Sequence, residues 1–143
     1  MAATERLTER QDSLFVYGSL TFTEVLDAVL GRVPEHRPAA AAGWRAAPLH
    51  DRPFPGLVRG DRAVAGLVLS GLSEQEWQLA DDFEGPFYDL VPVALVAGGT
   101  ASAYVCATDE LVLPGDWDRG RFGARELPAY LERCAAFRAG AFR

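Results

Sequence analysis

The sequence predicts an α+β fold, with a small, largely antiparallel sheet or barrel and a few helices beside it. Most segments with a clear pattern are short and rich in β-branched or aromatic residues, as strands are. Three helical patterns are interspersed among them. Gly98 and Gly99 form a two-residue hairpin signal between two strand-like segments, which predicts that these strands pair directly. This order of elements is typical of the α+β class.

The chain has the length of one domain. A protein of 143 residues buries about 70% of its unfolded surface and needs no disulfide or metal to hold a core. We therefore expect a single domain over residues 13–143. Residues 1–12 (MAATERLTERQD) are charged rather than signal-like, and we expect a flexible N-terminal segment there. No apolar run approaches the length of a membrane span, so we expect no membrane partner.

The first predicted element is the stretch Leu14–Leu20 (LFVYGSL), which begins with an apolar run typical of a buried strand. Gly18 is predicted to end this strand, because a residue without Cβ adopts backbone angles that others cannot. A helical pattern follows soon after Ser19, so several backbone N–H groups would point at one spot. That geometry suits a carboxylate or an oxyanion. The alternative is a plain turn between a strand and a helix.

A short helix is predicted after this turn. Thr21 or Thr23 can cap its start, and Gly31 is suited to its end. Its apolar stripe consists of Val25, Leu26, Val29 and Leu30.

The middle of the chain is predicted to hold a loop and three strands. Residues 32–43 are rich in Arg, Pro and Ala and are interpreted as a loop. Gly43–His50 and Phe54–Arg59 are interpreted as two short strands around a turn. Ala63–Leu72 alternates as a strand does, with Gly66 as a thin point that other backbone can approach.

The clearest helix follows Ser73. Ser73 and Glu76 form an S-x-x-E capping box, and Gly85 with Pro86 ends the helix. Its predicted inward residues are Trp77, Ala80 and Phe83.

The last third of the chain predicts a hairpin, an irregular stretch and a helix. Tyr88–Ala97 and Thr100–Ala107 are the two strands of the hairpin. Asp109–Arg125 shows no regular pattern. Pro128–Ala139 is predicted to be the final helix, with Leu131 and Cys134 facing inward.

Composition excludes several classes of function. The net charge of −6 argues against a nucleic-acid partner. All 14 basic residues are arginine, so the chain has no lysine for a Schiff base or a phosphate loop. His36 and His50 are the two histidines, and no cluster has metal-ligand spacing, so we expect no metal and no cofactor. Cys106 and Cys134 stand alone, which is typical of reduced thiols in a cytoplasmic protein.

Glu84 is the best candidate for a proton-transferring group. On a helix it shares the inward face of Trp77 and Ala80. It also lies at the C-terminal end, where the helix dipole disfavours a negative charge, and Asp81 repels it from one turn away. These effects and the apolar surroundings raise a carboxyl pKa toward the range useful to a general acid/base. The alternative is a solvated carboxylate at a fraying helix end.

Four motifs together resemble one family. V-Y-G-S-L at 16–20, R-P-F-P-G-L at 52–57, V-A-G-L-V at 64–68 and D-D-F-E-G-P-F-Y at 81–88 follow the order and spacing of the γ-glutamylcyclotransferase-like superfamily. The branch looks like that of the AIG2-like proteins and the γ-glutamylamine cyclotransferases. The resemblance covers about residues 14–107.

The resemblance implies a small mixed β-barrel with flanking helices and one cavity. In that family pattern Glu84 is the catalytic acid/base, and Tyr88 belongs to the substrate site. The turn that would hold the γ-glutamyl group with backbone amides consists of Tyr17, Gly18, Ser19 and Leu20. Leucine rather than asparagine at position 20 looks like the amine-cleaving or AIG2-like branch, not the branch that acts on γ-glutamyl amino acids. The family often has arginine two residues after the tyrosine, whereas this chain has Leu90.

The implied reaction requires few groups. A γ-glutamyl amide cyclises when its own α-amine attacks the side-chain carbonyl, which releases 5-oxoproline and an amine. The enzyme folds the substrate, moves protons and stabilises the oxyanion. No protein nucleophile is needed, so one carboxyl group and an amide-lined turn suffice. The partner is then a small γ-glutamyl compound.

Other interpretations remain open at this level. A protein that keeps the barrel and cavity without turnover would bind a small ligand only. His50 and Ser19 with an aspartate would suit a hydrolase triad, but the chain has no G-x-S-x-G elbow. Arginines that would suit an anionic ligand, or a solvated turn, are Arg119, Arg121 and Arg125. Trp117 and Phe122 suit either a cavity wall or a core.

Overall fold

A computed structural model of the protein describes residues 6–141. Its strands are β1 (Leu14–Val16), β2 (Glu35–Leu49), β3 (Arg52–Ser70), β4 (Tyr88–Ala94) and β5 (Thr100–Cys106). Its α-helices are α1 (Thr23–Leu30), α2 (Glu74–Glu84), α3 (Arg119–Arg125) and α4 (Leu127–Ala141). Single 3-10 turns occur at Leu7–Glu9 and Ser19–Thr21.

The five strands form one curled, mixed sheet in the order β2-β3-β1-β5-β4. β1 pairs parallel with β5, and the other neighbours are antiparallel. The sheet curls so far that its two edge strands approach each other. Ala41 of the edge strand β2 forms a bridge with Leu95, which lies just after the other edge strand, β4. The predicted α+β class, with a small mixed and largely antiparallel barrel-like sheet and flanking helices, is confirmed.

The long β2–β3 hairpin corrects one part of the sequence interpretation. Residues 32–43, predicted to be a loop, include the first half of β2, in which Ala39 pairs with Gly66. The two short strands predicted around residue 51 are the inner ends of the same hairpin, whose turn holds Asp51 at φ 56°. β2 is an edge strand, so the missing N–H of Pro38 is tolerated. Pairing with β3 thus overrides weak local propensity.

The first two helices follow their sequence signals with one exception. α1 ends at Gly31, whose φ of 85° is left-handed. Neither threonine caps its start: Phe22 is the N-cap residue, and Thr21 donates its hydroxyl to Gly18 O at 2.6 Å. In α2 the predicted capping box is present, since Ser73 and Glu76 bond each other's backbone N–H. The prediction for α2 is therefore confirmed.

The C-terminal region differs from the prediction over residues 109–125. This stretch, expected to be irregular, ends in α3, whose sequence RGRFGAR contains two glycines that hide the helical pattern. Asp118 caps α3 by accepting a hydrogen bond from Arg121 N at 3.0 Å. The final helix is confirmed and begins one residue before the predicted Pro128. Cys134 is buried as expected.

Two apolar clusters form the core. One contains residues of all five strands, centred on Phe15, Trp44 and Leu57. The other joins α1, α2 and α4 to the sheet and contains Trp77 and Phe122. Among the described residues, no helix has the length and apolar character needed to cross a membrane.

The beginning of the described chain packs along α2. Leu7 is buried, and Arg10 bonds Glu74 at 2.5 Å near the start of the helix. Gln11 N donates to Ser102 Oγ at 2.8 Å. Residues 1–5 lie outside the described part, and the flexibility expected of them stays a prediction, whereas Leu7, Arg10 and Gln11 pack against the domain.

Candidate functional site

A cavity of about 110 Å³ lies between the turn after β1, the end of α2 and the face of α4. All six residues predicted to form the site line it, namely Tyr17, Gly18, Ser19, Leu20, Glu84 and Tyr88. The structure thus brings together two stretches that are more than sixty residues apart in the chain. Glu84 thus lines the same cavity as the turn.

The turn after β1 presents free backbone donors. Thr21 N bonds Gly18 O at 3.0 Å, which starts the 3-10 turn. The amides of Gly18, Ser19 and Leu20 have no acceptor within residues 6–141. Donors left free at the start of such a turn are suited to a carboxylate or an oxyanion.

A close contact requires glycine at position 18. A Cβ at this position would lie 2.8 Å from Cγ and Cδ of Pro55, which is too close. The glycine therefore allows the turn to pack against the β3 segment that lines the opposite side of the cavity.

The two predicted tyrosines are held by the backbone. Tyr17 accepts a hydrogen bond from Leu57 N at 3.1 Å and donates to Tyr104 O at 2.5 Å. Tyr88 donates to Pro55 O at 2.9 Å. Their hydroxyl groups are thus engaged, and their rings form the cavity wall.

Glu84 ends α2, and Gly85 follows it with a φ of 72°. Its side chain is partly buried. Burial raises the pKa of the Glu84 carboxyl to about 7; the positive charge of Arg6 opposes this rise, and the negative charge of Asp81 adds to it. The sequence predicted the direction of this shift, with burial and Asp81 among its causes, whereas the opposing charge of Arg6 was not foreseen.

Glu84 is the titratable group suited to proton transfer near neutral pH. It is the one carboxylate among the described residues that line the cavity. Burial raises the pKa of each lining tyrosine well above the neutral range, so these hydroxyls stay protonated; they are Tyr17, Tyr88, Tyr104 and Tyr130. Glu84 alone in this set changes its charge around pH 7.

Several lining residues were missed from the sequence. Tyr130 projects from α4 and shares a hydrogen bond of 3.0 Å with Ser19 Oγ. Arg133, one turn later, is exposed at the edge of the cavity, 5.4 Å from the Tyr130 ring centre. Phe54 and Phe83 add apolar wall. Only the position of α4 over the turn reveals Tyr130 and Arg133, so no local pattern could have found them.

The other residues that the sequence offered for a functional site do not line the cavity in the predicted roles. Ser19 bonds Tyr130, while His50 is exposed and lies 3.2 Å from Asp51, so no hydrolase triad forms. Arg119 bonds the hydroxyl of Thr21 at 2.8 Å rather than presenting a free anion site. Trp117 and Phe122 pack together with ring centres 5.4 Å apart, and neither lines the cavity. No group of three metal-ligand side chains occurs in residues 6–141.

Leu20 and Leu90 have different surroundings. Leu20 lines the cavity with Glu84. Leu90 lies instead in a surface groove beside Arg6 and Asp89, outside the cavity. The residue at position 90 is therefore not part of the cavity lining.

Two curated proteins are similar to this chain in sequence. AIG2-like protein C of Arabidopsis thaliana is 35% identical over 112 residues, which is 73% of this chain and 65% of that protein, so the chain covers less than two thirds of this relative. AIG2-like protein D of the same plant is 27% identical over 91% of both chains.

Solved structures of other proteins have a similar fold. The solution structure of an Arabidopsis thaliana protein covers 85% of this chain and 86% of its own, with a TM-score of 0.64 and 26% identity. A structure titled gamma-glutamyl cyclotransferase shares the fold, with a TM-score of 0.53 and 15% identity over 87% of this chain and 86% of its own. The family model described as gamma-glutamyl cyclotransferase, AIG2-like, matches residues 14–119. The chain therefore belongs to the γ-glutamyl cyclotransferase, AIG2-like family.

Proposed function

We propose that this protein is an enzyme that cyclises the γ-glutamyl group of a small γ-glutamyl amine to 5-oxoproline and releases the amine. The observation that carries the proposal is the placement of Glu84, with its raised pKa, in one cavity with the free amides of Gly18, Ser19 and Leu20. A carboxyl group that titrates near pH 7 and a row of oxyanion donors are the two devices that the reaction needs.

The reaction balances without a protein nucleophile. Glu84 takes a proton from the substrate's α-ammonium group, and the amine nitrogen then attacks the γ-carbonyl carbon. The carbonyl oxygen gains negative charge, which the backbone amides of the turn stabilise. Glu84 returns this proton to the leaving nitrogen as the original amide bond breaks. The attacking nitrogen loses its second proton to the released amine, so the products are 5-oxoproline and an ammonium ion. The aromatic walls hold the substrate folded, with its amine near the carbonyl.

The direct test is a panel of γ-glutamyl compounds incubated with the full chain, with 5-oxoproline and the released amine as the readout. Formation of both products in equal amounts supports the proposal. Binding of a γ-glutamyl compound without either product would favour the alternative, a binding protein that keeps the cavity and lacks turnover.

The pH dependence of turnover follows from the pKa of Glu84. Because Glu84 must accept a proton first, the free enzyme is active when this carboxyl is ionised. Its pKa of about 7 therefore predicts that kcat/KM rises with pH along a limb centred near pH 7. A pH–rate profile measured with one substrate checks this, and a limb near pH 4.5 would show that the Glu84 carboxyl is not desolvated.

The lining of the cavity supports an uncharged leaving group. Leu20, Phe54 and Phe83 are apolar, and burying a second carboxylate against them would be costly. We expect kcat/KM for a γ-glutamyl alkylamine to exceed that for γ-glutamyl-alanine by about tenfold or more.

Arg133 provides the decisive control for this comparison. It is the one cation among the described lining residues and forms no ion pair with them. Arg133→Leu should widen the difference between the two substrates, whereas Arg125→Leu, on an exposed position of α3, should leave it unchanged. If kcat/KM is equal for the two substrates in the wild type and differs between them in Arg133→Leu, the amine preference is contradicted. Carboxylate recognition would then be assigned to Arg133.

A further inference from the structure

Arg6 binds the chain on both sides of Glu84. Its guanidinium donates Nε to Asp81 Oδ1 at 2.6 Å and Nη2 to Gly85 O at 3.0 Å. A third nitrogen, Nη1, donates to Tyr88 O at the start of β4. Asp81 lies one turn before Glu84, and Gly85 directly follows it. One side chain thus joins the last turn of α2 to the strand that carries Tyr88.

The buried Asp81 carboxylate explains why Arg6 is located at the end of α2. Its side chain is 0% exposed, and its Oδ1 also accepts a hydrogen bond from Tyr104 at 2.7 Å. Its Oδ2 has no hydrogen-bond partner in the described part of the chain. A buried carboxylate without a counter-charge is strongly unfavourable. Arg6, itself only 14% exposed, supplies that charge and stacks 5.2 Å above the Tyr104 ring.

The position of Arg6 is held by its neighbours. Leu7 is buried in the core beside the sheet and helices. Arg10 lies 4.9 Å from the ring centre of Trp77 and pairs with Glu74 at the other end of α2. The segment therefore runs along the whole helix and contacts both of its ends.

We propose that Arg6 is a positioning residue for Glu84, holding the last turn of α2 and the loop to β4 so that the carboxylate faces the cavity. The inference rests on the proposed function, in which Glu84 moves the proton. Arg6 does not line the cavity, so it acts through the backbone and Asp81 rather than on the substrate.

The positive charge of Arg6 predicts the direction in which the pKa of Glu84 changes when Arg6 is removed. Arg6 lowers the pKa of Glu84, and its effect is larger than the opposite effect of Asp81. Removing Arg6 removes this lowering and therefore raises the pKa of Glu84. The other charged or titratable groups that face Glu84 from the packed elements are Tyr17, Tyr88, Tyr104, Tyr130 and Arg133. The tyrosines stay neutral in this range, so they do not reverse the sign.

The test follows Glu84 directly in the full-length protein. The side-chain carboxyl carbon is titrated by ¹³C NMR, with its signal assigned by its loss in Glu84→Gln. In Arg6→Met we expect the midpoint to rise by about one pH unit, and kcat/KM at pH 6 to fall about tenfold. If Arg6 contributed to stability alone, Arg6→Met would lower the melting temperature and leave the Glu84 midpoint and kcat/KM unchanged.

Two further variants separate charge from geometry. Arg10→Met removes a cation from the same segment but contacts the start of α2, so its Glu84 midpoint should match the wild type. Arg6→Lys keeps the charge and loses the three-way fork, so its midpoint should stay near the wild type while kcat falls. If Arg6→Met does not fold, Arg6→Lys replaces it as the test. A wild-type kcat in Arg6→Lys would then overturn the positioning role.

The outcomes distinguish this inference from the proposed function. If the wild type releases no 5-oxoproline but Arg6→Met still raises the Glu84 midpoint, the proposed function fails and the coupling of Arg6 to Glu84 stands. If the wild type turns over and Arg6→Met has the same midpoint and kcat/KM as Arg10→Met, the positioning role is overturned.

Discussion

Glu84→Gln is expected to lower kcat/KM by about 10²- to 10⁴-fold, the usual contribution of a positioned general acid/base. The amide fills the same space beside the cavity but cannot carry the proton between the α-ammonium group and the leaving nitrogen. Initial rates of 5-oxoproline release, measured on the wild type and the variant with one confirmed substrate, check this.

The stability of the same variant provides the control. Since burial raises the pKa of Glu84, its ionised form is disfavoured in the folded protein, and this penalty grows as the pH rises from 4.5 through 7. Above pH 7 the neutral amide should therefore keep or raise the melting temperature. Glu74→Gln changes an exposed residue at the start of the same helix and should retain full activity. Wild-type turnover by Glu84→Gln would remove Glu84 from the mechanism.

Gly66→Ala is expected to lower the free energy of unfolding by about 3 kcal/mol, at the upper end of the usual cost of overpacking. A Cβ on Gly66 would lie 2.1 Å from Val16 O and 2.9 Å from the ring of Phe15. The nearest atom belongs to the backbone of β1 and cannot move alone. Because Val16 directly precedes Tyr17, the displacement also reaches the amide turn. Chemical denaturation measures the loss of stability.

Gly140→Ala is the matched control for this substitution. Gly140 lies in α4, and a Cβ there would meet no atom within 4 Å. The same chemical change should stabilise the protein slightly, by about 0.5–1 kcal/mol, because alanine favours a helix. Equal effects of the two substitutions would show that the contact between Gly66 and β1 carries no cost.

Local signals explain what could be predicted. The capping box of α2 is written within four residues, Ser73 to Glu76, and its helical period places Glu84 on the inward face. Gly66 marks the close approach of β1 from its position in an alternating strand. Each of these signals lies within a few residues of the chain, so the sequence displays it directly.

Contacts between distant segments could not be predicted in the same way. The first half of β2 looks like a loop because Ala, Arg and Pro are poor strand formers, and only pairing with β3 makes it a strand. Tyr130 and Arg133 reach the cavity because α4 crosses over the turn. Arg6 lies 82 positions from Tyr88 in the chain, yet it donates a hydrogen bond to Tyr88 O.

The sequence by itself determined the α+β class and the helix that carries Glu84, and the family motifs predicted that this residue lies near the turn at 17–20. Helical period, capping and turn chemistry are local, and the family motifs preserve their order along the chain. The tertiary structure alone decided which side chains surround Glu84 and which charge opposes its desolvation. Burial and Coulomb interactions depend on distance in space, and Arg6 approaches Asp81 only after the chain has folded.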